Sequence, residues 1–219
     1  MRRLLFTKTG EAVWMSHLDL MRLFQRSFKR AGLPLTHTQG YSPRPSVSIA
    51  LPLSVGVESQ CEILDFDLEG EMPPCPEITD RLNQALIPGL RVLETYETGR
   101  KIRDIALLRC ELILEYDEGL TDNTLSQLSQ LFARESLLVE KKGKNGPQQQ
   151  DIIPMIRTLE LSRVDTHCAR MEALICCQNP SLNPMLLITA IETWLPQCKP
   201  SFAKCKRLEI YDSQLTIFR

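Results

Sequence analysis

Residues 16–59, SHLDLMRLFQRSFKRAGLPLTHTQGYSPRPSVSIALPLSVGVES, decide the fold. Ser16 is a good N-cap, and Asp19 stands three residues on, where its carboxylate reaches back toward the orphan amides of a first helical turn. Leu20 or Met21, Phe24, Phe28 and Ala31 recur at helical spacing and predict an apolar stripe toward a core. Arg22, Arg26 and the pair Lys29–Arg30 recur on the other side as a basic stripe toward solvent. Gly32 ends the helix and Pro34 confirms the stop. Beyond it, Gly40-Tyr41-Ser42-Pro43-Arg44-Pro45 forms a stiff loop that carries an aromatic ring and another guanidinium beside the basic helix. A solvated charged face is the plain reading of such a stripe. The loop next to it points instead to a surface for phosphate-rich partners.

Working outward, residues 3–9 alternate as a strand before the helix at 17–31. Residues 46–52 and 60–69 predict a strand pair; in the second, Leu64, Phe66 and Leu68 face one way while Asp65 and Asp67 face the other. A helix at 76–87 starts on Pro76 and ends at Pro88-Gly89, and 90–95 is a further strand. That order, β-α-β-β-α-β, is the ferredoxin-like one. Thr98–Asp104 is a charged linker, after which the order repeats: a strand at 108–116, a helix at 122–133, strands at 157–163 and 169–177, a helix at 184–195 behind Asn183 and Pro184, and a strand at 206–211. The expected fold is α+β, with two tandem ferredoxin-like modules over residues 1–98 and 105–219. Lys141–Gln150, within the second module between the helix at 122–133 and the strand at 157–163, is a polar, glycine-bearing hairpin tip or mobile loop.

Charge is unevenly distributed although the net charge is only -1. Residues 1–45 hold eight Lys/Arg against two Asp/Glu, and residues 46–99 hold two against ten. A basic and an acidic region side by side either neutralise one another or orient the surface. No apolar run suits a signal peptide or a membrane span, so a cytoplasmic protein is expected, its eight cysteines reduced. None of them forms a C-x-x-C pair or an iron–sulfur spacing, so no metal and no cofactor are expected in this chain. A site drawing on His167, Cys168, Cys198 and Cys205 is the one conceivable exception.

Phe6-Thr7-Lys8-Thr9-Gly10, Ser16-His17-Leu18-Asp19, Arg22, Arg26, Arg30-Ala31-Gly32-Leu33-Pro34, Gly40-Tyr41-Ser42-Pro43 and Leu53-Ser54-Val55-Gly56-Val57-Glu58-Ser59 together resemble the radical-SAM-linked protein family. These are domains encoded beside, or fused behind, a radical S-adenosylmethionine protein. Asp151-Ile152-Ile153-Pro154 is similar to the family's Asp-Leu-Arg-Pro signature, with Ile153 in place of its arginine. The resemblance implies a radical SAM protein as partner more firmly than it implies a reaction.

Three functions follow from these residues. The first is an RNA-binding or substrate-presenting accessory protein, non-catalytic by itself, using a surface of Lys8, Arg22, Arg26, Arg30, Tyr41 and Arg44. The first strand lacks the paired aromatics by which RRM sheets stack bases, so RNA would lie on the helix and loop. The second is a metal-independent endoribonuclease that uses His17, His37 and Lys8. Its family analogue, the CRISPR repeat-processing enzymes, resembles the tandem architecture, but their C-terminal glycine-rich loop has no counterpart in Lys199–Arg219. The third is an adaptor that docks an acidic protein surface on the basic stripe. There is no P-loop, G-x-G-x-x-G, nucleophile elbow or H-E-x-x-H.

Overall fold

Burial on both faces shapes β1 (Arg2–Lys8): Leu4 and Phe6 enter a core on one side, while Arg3 and Leu5 are buried on the other. The computed structural model describes residues 2–39, 41–143 and 146–219, the side chain of Lys142 excepted. Gly40 of the Tyr41 loop and Lys144–Asn145 of the polar loop therefore lie outside the described residues. Residues up to Ile102, together with Arg219, form one compact unit, and Arg103–Phe218 form a second.

In the first unit, Ser16 caps α1 (His17–Arg30) as expected, its Oγ accepting the Asp19 N–H at 3.2 Å. The Asp19 carboxylate accepts the Ser16 hydroxyl at 2.7 Å instead of an amide, closing the cap side chain to side chain. Leu20, Phe24 and Phe28 are buried, as their spacing requires. Phe24 meets Phe6 edge-on at 4.7 Å and Phe28 meets Phe66 at 4.9 Å. Each ring contributes on the order of 1.5–3 kcal/mol by burial. There follow β2 (Val47–Ile49), β3 (Glu58–Phe66), α2 (Cys75–Ala85) and β4 (Leu90–Glu97). The strands run in the order β4-β1-β3-β2, each antiparallel to its neighbour. The expected strand at 46–52 shrinks to three residues. Leu51 stands at φ +48° and Pro52 has no N–H to donate, so pairing stops at Ile49.

The second unit starts with β5 (Leu107–Glu115) and α3 (Asp122–Phe132), the latter capped by the Thr121 hydroxyl accepting the Thr124 N–H. Of the loop and the hairpin tip that residues 141–150 suggest, the structure has the hairpin: β6 (Leu138–Gly143) and β7 (Gly146–Asp151) pair as a separate two-stranded element. Then come β8 (Ile156–Arg163), β9 (Cys168–Cys176), α4 (Met185–Trp194) and β10 (Phe202–Tyr211). The order is β10-β5-β9-β8, again antiparallel throughout. The last strand begins at Phe202 rather than 206. Asn183 accepts the Met185 N–H with its side chain, so α4 begins one residue later than Pro184.

The fold is thus α+β. In each unit the chain makes strand, helix, two strands, helix, strand, once the separate β6–β7 hairpin of the second unit is set aside. The Tyr41 loop in the first unit and the β6–β7 hairpin in the second both lie between the first helix and the second sheet strand. Among the described residues no helix is long and apolar enough to cross a membrane.

Candidate nucleic-acid interface

Whether a cation can bind a phosphate depends first on whether the fold already pairs it. The two arginines of β1 are paired: Arg2 with Glu97 at 3.1 Å, and Arg3, wholly buried, with Asp65 at 2.6 Å. Both carboxylates come from the acidic stretch 46–99, which therefore neutralises the strand. Three exposed cations of the second unit's sheet are also matched, Arg109 with Glu172, Arg170 with Glu111 and Lys204 with Glu115, across the β5–β9 and β5–β10 ladders.

The helix α1 is different. Arg22 makes only a loose 3.5 Å contact with Asp19, both side chains more than half exposed. Arg26 and Lys29 are exposed and have no ion-pair partner among the described residues. Arg44 is exposed as well, its backbone pinned by hydrogen bonds with Thr38: the Thr38 N–H donates to the Arg44 carbonyl at 2.8 Å, and the Arg44 N–H to the Thr38 hydroxyl at 3.1 Å. This closes the base of the loop whose tip carries Tyr41, fully exposed. The His37–Pro45 bridge lies one step further in. A groove of about 420 Å³ runs between that bridge and the second half of α1, lined by Gln25, Lys29, Pro34, His37 and Glu69 among others. Helix and loop root thus share one groove, with Arg26 on the helix beside it. Glu69 contributes one carboxylate there, 3.5 Å from His37 Nδ1.

Two residues of the expected surface have other tasks. Lys8 is buried, not exposed: its ammonium donates to the carbonyls of Val13 at 3.2 Å and Met15 at 2.9 Å. A buried ammonium needs acceptors around it, and two come from the C-terminal end of the short 3-10 turn Gly10–Trp14 and from Met15, the residue that follows it. Arg30 is exposed along its length, but its guanidinium donates to the Ala85 carbonyl at 2.6 Å, at the negative end of α2. It braces the two helices.

The expected ribonuclease constellation is not assembled. His17 stands in the first turn of α1, while His37 lies beside Lys29, about 18 Å further along a helix that rises about 1.5 Å per residue. No side chain spans that distance to act on one phosphodiester. Lys8, at the His17 end, holds carbonyls instead of facing a substrate.

In the second unit, burial pushes the thiols of Cys177 and Cys205 up to about 12, so both remain protonated. Cys198 donates to Gln127 at 3.1 Å. Among the described residues no group of three or more His, Cys, Asp or Glu side chains is arranged to hold a metal ion. Asp151, from the signature-like Asp-Ile-Ile-Pro, is a brace: its carboxylate accepts the N–H groups of Leu137 at 2.9 Å and Ile153 at 3.1 Å. Those bonds, Leu137 first, hold its pKa below the usual carboxylate range. One exposed residue that the sequence reading passes over is Trp14. Its signal is faint, a lone ring between a turn glycine and a helix cap.

Comparison with known proteins gives little beyond a family. No curated protein matches. Among solved structures, a chain from "Structure of H/ACA RNP bound to a substrate RNA containing 2'-deoxyuridine" is similar over 98% of this chain at 5% identity and a TM-score of 0.49. This chain spans about half, 48%, of that one. An unknown protein from Galdieria sulphuraria aligns over 96% of both chains at 11% identity and a TM-score of 0.27. The family described as an uncharacterized protein conserved in bacteria, DUF2344, matches residues 2–184, and the chain belongs to it.

Proposed function

We propose that this chain is a cytoplasmic accessory protein that binds RNA, or presents an RNA substrate, to a radical SAM partner, and is non-catalytic by itself. The observation that carries this reading is the contrast among cations. Arg2 and Arg3 of β1 and Arg109, Arg170 and Lys204 of the second unit's sheet are paired with carboxylates, whereas Lys29, which lines the groove, and Arg26 and Arg44, next in sequence to its lining residues Gln25 and Pro45, have no ion-pair partner among the described residues. Unpaired guanidinium and ammonium groups beside an exposed aromatic ring are what a phosphate backbone with accessible bases would engage. The partner rests on the resemblance of Ser16–Asp19, Gly40–Pro43 and Leu53–Ser59 to radical-SAM-linked proteins. The partner would supply any cluster and cofactor.

The same reading takes both units as ferredoxin-like modules, residues 1–98 and 105–219. The strand order fourth-first-third-second in each, antiparallel throughout, supports this.

The test is binding of a fluorescein-labelled 20-nucleotide mixed-sequence RNA at several salt concentrations. Wild type binds at low salt with a negative log–log salt slope. Arg26→Ala and Lys29→Ala each weaken binding and flatten that slope by about 0.7 for each phosphate no longer neutralised. Wild-type protein that ignores RNA, or variants that leave the slope untouched, would overturn the reading. If Arg26→Ala instead releases only a copurifying radical SAM protein, the surface is a protein-docking adaptor.

A further inference from the structure

The fold's two tryptophans are held in opposite ways. Trp194 is occupied: its indole N–H donates to the Leu138 carbonyl at 2.8 Å, and the Arg134 guanidinium sits 5.3 Å from its ring centre. Trp14 is 69% exposed and makes no hydrogen bond or ring contact among the described residues. An unused indole on a floppy segment would mean little, since single exposed apolar residues are common. This segment is fixed. The buried Lys8 ammonium donates to the carbonyls of Val13 and Met15, the residues on either side of Trp14. The Val13 carbonyl also accepts the Gly56 N–H at 2.8 Å, and Gly56, with no side chain at φ +82°, leaves room for the ring: a Cβ there would stand 3.5 Å from Trp14 Cζ3. The backbone is therefore clamped on both sides of a ring with little to pack against.

The ring's position gives it a use. Trp14 stands two residues before the Ser16 cap, at the N-terminal end of α1. From there Leu18, 66% exposed, Arg22 and Arg26 follow at intervals of four along one exposed ridge, with Lys29 beyond. Tyr41 projects from the loop rooted beside Gln25 and Lys29, toward the other end. An aromatic ring thus stands at each end of this row of cations.

We infer that Trp14 is a base-stacking platform and that the ridge takes single-stranded RNA, its phosphates on Arg22, Arg26 and Lys29 and an unpaired base on the indole. This deepens the RNA-binding reading and rests on it. Single strands are favoured over duplex because a ring can stack only on a base that is free of its neighbours, and an A-form helix does not offer one. Lys8 is a positioning residue here: it holds the ring's backbone and touches no ligand.

The experiment follows indole emission and affinity for a 12-nucleotide single-stranded RNA and for the same sequence as a duplex. Single-stranded RNA should quench wild-type emission and leave Trp14→Phe without that quench. Trp14→Ala should weaken binding about 5- to 150-fold, the loss expected for one stacked base, while Trp14→Phe, which keeps a π face, stays near wild type. Lys8→Met should reduce the quench with a smaller change in salt slope than Arg26→Ala produces. If RNA binds through Arg26 but Trp14→Ala binds as wild type does, the platform is disproved and the RNA reading stands. Equal or tighter binding of the duplex also disproves it. If no RNA binds at all, both readings fall.

Discussion

Gly89 shows how a single backbone position can be fixed by its neighbours. Its φ is +86°, and a Cβ there would lie 2.4 Å from the Thr9 carbonyl oxygen and 3.0 Å from Ala12 Cβ. The Thr9 N–H donates to the Gly89 carbonyl at 2.8 Å, tying the start of β4 to the end of β1. Gly89→Ala is expected to lower stability by about 1–3 kcal/mol, from strain in the left-handed region and from displacement of the Thr9 carbonyl. Urea denaturation measures it, and an unchanged midpoint would mean that this junction yields freely. At this scale the sequence is legible where chemistry is local. Ser16 as a cap and Phe24 and Phe28 as core follow from spacing alone. Lys8 does not, because a lysine at a strand end is usually solvated; only the later turn of the chain brings the Val13 and Met15 carbonyls over it.

Among elements, the β6–β7 hairpin is the one that the sequence leaves undecided. Lys141, Gly143, Gly146, Pro147 and three glutamines carry no apolar alternation, so residues 141–150 read equally as a loop or a hairpin tip. Contacts at its open end hold it: the Trp194 indole to the Leu138 carbonyl, Gln150 to the Ser181 carbonyl at 3.2 Å, and the Asp151 carboxylate to the N–H of Leu137, just before β6. Asp151 makes the hairpin pH-dependent. Its folded pKa is lowered, so its stabilisation is complete above the unfolded value of about 3.9 and is lost as pH falls through the folded value. The protection factors of the Leu137 and Ile153 amides, taken relative to the unstructured rate at each pH, should therefore hold steady above about pH 4 and fall below it. Asp151→Ala should abolish that protection at every pH, and a pH-independent wild type would assign the bracing elsewhere.

Across the whole molecule, the charge imbalance visible in sequence divides by element. The acidic stretch 46–99 neutralises the β1 arginines but leaves Arg26, Lys29 and Arg44 on α1 and its loop without ion pairs among the described residues. Composition points to two regions of opposite charge; which cations remain available depends on strand pairing, which no local pattern gives. The basic stripe is legible, whereas the separation of His17 from His37 is not. The thiols provide a molecule-wide check. Cys61, Cys110, Cys176, Cys177, Cys198 and Cys205 are buried, and Cys75 and Cys168 are partly exposed. Burial, and then the Asp165 carboxylate, hold the Cys168 thiol up as well. Iodoacetamide at pH 8 should label Cys75 first and Cys168 more slowly, with the other six reacting only in denaturant. Fast native labelling of Cys177 or Cys205 would mean that the second unit opens far more readily than its packing implies.

The Tyr41 loop and the β6–β7 hairpin occupy equivalent positions, each between the first helix of its unit and the second sheet strand. In evolutionary terms, that is a common slot in which chain length could grow without disturbing the strand order that defines either half. If the halves descend from one duplicated ancestor, the slot is where their histories diverged. One copy drew in prolines and a bare tyrosine, and the other drew in a polar ribbon with its own pairing. Novelty in this lineage would then be sought first in these two inserts.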